Sequence, residues 1–367
     1  MDKFKASATY QRLKQRLFFV SLFLDGAVLL LLFFSGLSFS LKFFSLKFSS
    51  NPLVVNGIYF FFLSLGFYIL HFPFNVFIDF IWEHRFQLSN QSFRDWLRDD
   101  LKKAIVGFII VIVFLEMIYF LLRHYPQNWW IGAGLFWFFL SFLLTKLMPS
   151  VIIPLFFKYL PLKDLEIKER IFQLFKTCSV PLKEVYAINL SAKTKKANAF
   201  LCGLGKNRRV VLSDTLLDHF SLNEIETVVA HELGHLKHKD ILKMLLMNTL
   251  VIFLGFFLVH KFLQAALMHF GLAKIDDVYF FPLFALSLML FGILTTPILN
   301  GMSRFIEKRA DAFSLIVTQK PHDFISMMRK LGEMNLAEFK PGRLREFFFY
   351  DHPPLYKRIE FAEKFSP

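Results

Sequence analysis

Ser221 to Asp240 reads SLNEIETVVAHELGHLKHKD, and inside it lies His231-Glu232-Leu233-Gly234-His235. On a helix, residues four apart share one face. His231 and His235 can therefore hold one metal ion through imidazole nitrogens while Glu232 reaches a water beside it. Ser221 followed by Glu224 reads as a capping box, and Ile225, Val228, Val229 and Leu233 recur at helical spacing. The stretch predicts a well-started helix carrying the site of a zinc hydrolase. A cationic surface helix is the plain alternative.

Outward from this helix the chain is apolar. Its 367 residues are 55% hydrophobic and 18% aromatic, with a mean hydropathy of +0.47. Several apolar runs reach the roughly 20 residues that cross a bilayer, which excludes an ordinary soluble domain. The fold class expected is mainly α: a polytopic helical membrane protein of about six spans, with a metalloprotease-like domain containing a small β element. The spans are read as about Leu17 to Phe39, Leu53 to Ile81, Ala104 to Leu122, Ile131 to Ile153, Leu245 to Leu267 and Phe280 to Leu299. The first run exceeds a signal-peptide core and is read as a retained span. The organisation expected is 1–153, a membrane domain of four spans; 154–243, a catalytic segment with the zinc helix; 244–300, spans five and six; and 301–367, a C-terminal catalytic segment supplying a third ligand. After Asp240 the zinc helix can run on into the fifth span.

The net charge is +14, yet 37 of the 43 Lys and Arg lie in residues 1–16, 82–103, 154–243 and 301–367. With six spans, the positive-inside rule puts both termini and the zinc helix in the cytoplasm. Topology and anionic lipid headgroups account for such dispersed charge, so no nucleic-acid partner is expected. Cys178 and Cys202, both on the side read as intracellular, imply no disulfide framework.

Polar residues inside the spans are costly and informative. Asp25 should sit near the interface or face protein. His71, Asn75 and Asp79 share one helical face, which should meet a bundle interior or a watery cavity, and Pro73 permits a kink. Glu116 and Lys146, on adjacent spans, are candidates for a mutual pair. In the polar segment, Leu165 to Thr177 reads as an amphipathic helix, and Val185 to Leu190, Ala197 to Leu204 and Arg209 to Leu212 read as strands.

A catalytic zinc takes a third protein ligand from another element and keeps one position open. Candidates by spacing include Glu307, Glu333, Glu346 and His352. Glu307 is favoured because Asp311, four residues on, can buttress a ligand histidine. His238 and His219 are assigned to solvent-facing or packing roles.

Five stretches together carry more than the metal motif: Asn198-Ala199-Phe200, Arg209 to Leu216, His231 to His235, Glu307-Lys308-Arg309-Ala310-Asp311, and His352-Pro353 with Arg358. In order and spacing, from about Tyr10 to Glu363, the chain resembles the type I CAAX prenyl endopeptidases, integral-membrane zinc proteases of the gluzincin kind. The resemblance implies one zinc ion per chain on His231, His235 and Glu307, with Glu232 as general base and Asp311 orienting a ligand. It implies that Asn198, with Ala199 and Phe200, holds substrate backbone, and that His352 and Arg358 contact substrate or stabilise the oxyanion. It also implies a ring of spans around a water-filled chamber and removal of the C-terminal tripeptide after a prenylated cysteine.

The partners expected are a peptide or protein substrate and membrane lipid, with the chain a monomer. Eukaryotic members are described with seven spans, whereas six are read here. That suggests a prokaryotic or shortened member, in a bacterial inner membrane, or in the endoplasmic reticulum if eukaryotic, and leaves prenylation of the natural substrate open. A membrane quality-control metalloprotease is the alternative within the same chemistry, and a transporter or scaffold with structural zinc is the alternative outside it. The lack of a nearby Cys pair argues against the last.

Overall fold

The computed structural model describes residues 3–203, 205–270 and 274–365. The chain opens with α1 (Lys3–Phe34) and the short apolar α2 (Leu37–Leu46). α3 (Pro52–Asn75) passes through a π-helical stretch, Val76–Trp82, into α4 (Glu83–Arg85). α5 (Phe93–His124) and α6 (Trp129–Leu147) complete the membrane part before the metal helix. Then come β1 (Tyr159–Pro161), α7 (Leu165–Thr177), β2 (Glu184–Ile188), β3 (Ala199–Cys202), β4 (Arg209–Ser213), α8 (Asp214–His219) and α9 (Leu222–Lys237). α10 (Asp240–Phe270), α11 (Phe281–Thr318), α12 (Pro321–Met334), α13 (Arg343–Phe349) and α14 (Leu355–Glu363) follow.

Among the described residues six helical stretches are long and apolar enough to cross a membrane, four of them before the metal helix and two after it. Their ends differ from hydropathy for local reasons. Gly36, at φ 76, ends α1 at Phe34, short of the expected Phe39, and turns the chain into α2. α11 runs well past Leu299: its 38 residues are about 57 Å long against about 30 Å of hydrocarbon, so its C-terminal part projects towards the sheet. The metal helix does not run on into the fifth span. It ends at Lys237, and Lys239 adopts a left-handed φ of 56 before α10 begins at Asp240.

The sheet has the order β1-β2-β4-β3. β1 and β2 are antiparallel, β2 and β4 parallel with Val185 opposite Val210, and β4 and β3 antiparallel with Leu212 opposite Ala199. The three expected strands are present, the first two shorter than expected and the third extended by one residue to Ser213. The run read as Ala197 to Leu204 forms β3 only from Ala199 to Cys202, and Leu204 lies outside the described residues. β1, three residues ending on a proline, carried no strand pattern.

Buried side chains gather at the two ends of the molecule. One core unites the sheet with α7, α9, α12 and α14, including Phe175, Leu212, Ile225, Leu233, Phe324 and Ile359. A second plugs the far end of the spans with Tyr59, Phe60, Ile118, Trp129, Phe256 and Phe284. Between these ends the spans bury little on any face: α3 has no buried residue between Leu63 and Trp82, and α5 none between Asp100 and Leu115.

Asp25 is paired with His71 Nε2 at 2.6 Å, so it faces protein, as required of a carboxylate at that depth. Glu116 and Lys146 do not meet. Asn56 Nδ2 donates to Glu116 Oε2 at 3.4 Å, while Lys146 stands over the Phe142 ring, 4.2 Å from its centroid. In an antiparallel pair joined after His124, Glu116 lies about 12 Å back from the turn and Lys146 about 26 Å beyond it, too far apart to bond.

Candidate metal and active site

α9 starts as its sequence requires. Ser221 Oγ accepts from Glu224 N at 3.3 Å, and Ser221 N donates to Glu224 Oε2 at 2.7 Å, a complete capping box. Two turns on, the helix presents His231 and His235 towards α11. Gly234 permits the close approach: a Cβ there would stand 3.2 Å from Ala310 Cα and from Phe313 Cβ. α11 thereby brings Glu307 to the histidines, with Oε2 3.2 Å from His231 Nε2 and Oε1 3.3 Å from His235 Nε2.

The other face of each ring is occupied by a carboxylate. His231 Nδ1 lies 2.9 Å from Asp311 Oδ1, and His235 Nδ1 lies 3.1 Å from Asp240 Oδ2. A carboxylate can only accept, so each Nδ1 carries the proton and each Nε2 is left with a lone pair. The two Nε2 atoms then confront one another at 3.1 Å, beside a carboxylate with nothing to accept from them. Glu307 Oε2 is indeed buried without a hydrogen bond. Such a donor set suits a cation. The candidate ligand atoms of His231, His235 and Glu307 all lie within 4.8 Å of one another, two nitrogens and one oxygen as zinc prefers.

The electrostatics agree. Burial opposes charge on His231, but Asp311 and Glu307 overcome it and push the ring up to about 9. Burial raises the Glu232 carboxyl, and the neighbouring His231 and His235 offset part of that.

The other expected residues divide. His352 is at the site, its Nε2 3.4 Å from Glu307 Oε1 and its Nδ1 2.8 Å from Asp351 Oδ1. Arg358 turns to Asp311, donating from Nε at 2.8 Å and from Nη2 at 2.5 Å, which commits two of its three nitrogens. Asn198 is exposed just before β3, and its Oδ1 accepts from Ala199 N at 2.9 Å. Ala199 and Phe200 open β3, which is an edge strand of the sheet and packs on α9.

His238 donates from Nδ1 to Gly234 O at 2.8 Å and packs edge-on against Phe313, while His219 Nδ1 donates to Thr215 O at 2.9 Å. Glu346 is taken by Lys357 at 2.6 Å. Sequence reasoning missed Asp240 as the partner of His235. No helical spacing links the two, and only the left-handed Lys239 brings them together.

Comparison with known proteins agrees with this architecture. Residues 161–366 match the family model described as peptidase family M48, and residues 1–158 match one described as CAAX prenyl protease N-terminal, five membrane helices. Four long spans and the ten-residue apolar α2 occupy that second region here. An uncharacterized metalloprotease of Bacillus subtilis, YhfN, is 28% identical over 97% of this chain and 84% of its own. The CAAX prenyl protease 1 homolog of Arabidopsis thaliana is 29% identical over 78% of this chain and 68% of its own, and that of Homo sapiens 26% over 78% and 69%. The crystal structure of Ste24p from S. mikatae superposes with a TM-score of 0.87 over 99% of this chain and 89% of that one, at 23% identity. With a family match over more than half its length and this fold, the chain belongs to peptidase family M48, as an integral-membrane metallopeptidase of the Ste24 type.

Proposed function

We propose that this peptidase holds one zinc ion through His231, His235 and Glu307 and uses Glu232 to hydrolyse a peptide bond near the C-terminus of a prenylated substrate. The observation that carries the reading is the convergence of His231 Nε2, His235 Nε2 and the Glu307 carboxylate beside Glu232. Zinc, when bound there, polarises the scissile carbonyl and makes a water nucleophilic at neutral pH.

The chain's own groups do the rest. Glu232 takes the proton from the attacking water and delivers it to the leaving amine. Asp311 holds the His231 ring, and Arg358 holds Asp311. The remaining Arg358 nitrogen, Nη1, and the His352 ring would be the donors to an oxyanion, where one donor is typically worth ~2.7 to 4 kcal/mol. The substrate lies extended along the free edge of β3, its backbone paired there and at Asn198, so recognition is partly independent of sequence. Both termini and the site face the cytoplasm, on the distribution of Lys and Arg.

The prenylated substrate class rests on the relatives named CAAX prenyl protease 1 homolog and on the four spans that precede the metal helix. It is tested by mass spectrometry of a farnesylated CAAX peptide and its unprenylated twin after incubation with purified zinc-loaded protein, alongside Glu232→Ala. Cleavage after the prenyl cysteine, absent from the variant and from the twin, is the expected result. Equal cleavage of both peptides contradicts prenyl recognition, and no cleavage of either contradicts the substrate class.

A further inference from the structure

Each of the two histidines that face the candidate metal position has a carboxylate against its Nδ1. His231 Nδ1 meets Asp311, which takes two bonds from Arg358. His235 Nδ1 meets Asp240 Oδ2 at 3.1 Å, and Asp240 Oδ1 accepts from Arg309 Nη2. Both carboxylates are buried, Asp311 at 1% exposure and Asp240 at 3%. We propose that Asp240, anchored by Arg309, is a positioning residue for His235, fixing which ring nitrogen carries the proton and aiming Nε2 at the metal. This rests on the reading that His231, His235 and Glu307 hold the ion.

The backbone is built to make the contact. In an unbroken helix residue 240 would stand about 140° around the axis from His235, out of its reach. Lys239, at φ 56, occupies the left-handed region that non-glycine residues rarely adopt. That single turn separates α9 from α10 and returns Asp240 to the ring five residues behind it. Arg309 sits two residues after Glu307 on α11, so one helix delivers both the third candidate ligand and the anchor of the second histidine. Asp240 offers a separate acceptor oxygen to each partner, Oδ2 to His235 Nδ1 and Oδ1 to Arg309 Nη2.

The competing account is that Asp240 and Arg309 merely staple α10 to α11. The two accounts part on metal affinity. In the full-length protein in detergent, zinc affinity is measured by chelator competition, and the cobalt-substituted site by its visible absorption. The variants are Asp240→Ala, Asp240→Asn, Arg309→Gln and, as control, His231→Ala. Loss of a group that orients a metal-ligating histidine costs 10- to 100-fold in affinity, so Asp240→Ala should bind zinc about that much more weakly and shift the cobalt bands. Asp240→Asn should recover part of the loss, because its amide oxygen still accepts from Nδ1, although the ion pair to Arg309 is gone. Arg309→Gln should weaken binding less, and not additively with Asp240→Ala.

Wild-type affinity and an unchanged cobalt spectrum in a folded Asp240→Ala overturn the proposal. So does an equal loss in the Ala and Asn variants accompanied only by a lower melting temperature, the signature of a staple. Where the Asp240 variants do not fold, Arg309→Gln decides, and unchanged affinity there counts against it. The underlying reading fails differently: His231→Ala would then bind zinc as the wild type does.

Discussion

Glu224 shows how the site depends on a residue far from the chemistry. Burial would raise its carboxyl, but Lys330, Ser326 and the Ser221 N–H hold it below the usual carboxylate range. The partners are close: Lys330 Nζ at 2.7 Å, Ser326 Oγ at 2.6 Å and Ser221 N at 2.7 Å. A folded-state pKa below the unfolded one means stability fully present above the unfolded value of about 4.5 and lost as pH falls through the folded value. Glu224→Gln should therefore lower the melting temperature at neutral pH, by the equivalent of about 1 to 2 kcal/mol. The gap to wild type should close as the pH is lowered below the carboxylate range. A gap that persisted unchanged in acid would remove the charge from the explanation. Half of this was legible in the sequence: Ser221 to Glu224 is a relation of three residues, as His231 to His235 is of four. Lys330 and Ser326, a hundred residues away, and Asp240, brought in by a left-handed lysine, follow no local period.

At the scale of elements, the site is the meeting of α9 with α11, and Gly234 sets their separation. Gly234→Ala would gain up to ~1 kcal/mol of helix propensity but place a methyl group against the backbone of Ala310. Crowding of this kind costs ~1 to 3 kcal/mol, and α11 moves away to relieve it. The metal-free protein should melt at nearly the wild-type temperature while zinc affinity drops on the order of tenfold, as Glu307 withdraws from the histidines. Chelator competition measures it, and an unchanged affinity would mean that the helices have room to spare. The spans were legible because each is long and apolar. Their ends were not, since Gly36, Lys239 and the overrun of α11 are set by backbone conformation and by packing on the sheet. β1 escaped because three residues cannot display an alternation.

At the scale of the molecule, buried side chains gather in one core around the sheet and in another among the spans, while α3 and α5 bury none along their middles. Large apolar side chains exposed on the spans, such as Phe23 at 79% and Leu294 at 73%, suit contact with lipid chains. Polar groups such as Asp25 and His71 turn to one another between α1 and α3. The stripe of His71, Asn75 and Asp79 pointed to a bundle interior or a watery cavity, but the core among the spans draws on α3, α5, α6, α10 and α11 and no single segment encodes it. In a background with Cys178 and Cys202 replaced by serine, Asn75→Cys should react readily with a small water-soluble thiol reagent. Ile118→Cys, at a fully buried position in the plug, should not. Protection at both positions would contradict a hydrated interior.

The most direct test of the central claim is peptide turnover as zinc is titrated back into metal-stripped protein, for wild type and Glu232→Gln. Wild-type activity should return in full at one zinc per chain. Glu232→Gln should bind the same zinc yet remain about 10²- to 10⁴-fold slower, the usual contribution of a positioned acid–base group. Full activity without metal, or a Glu232→Gln enzyme that turns over at the wild-type rate, would contradict the account.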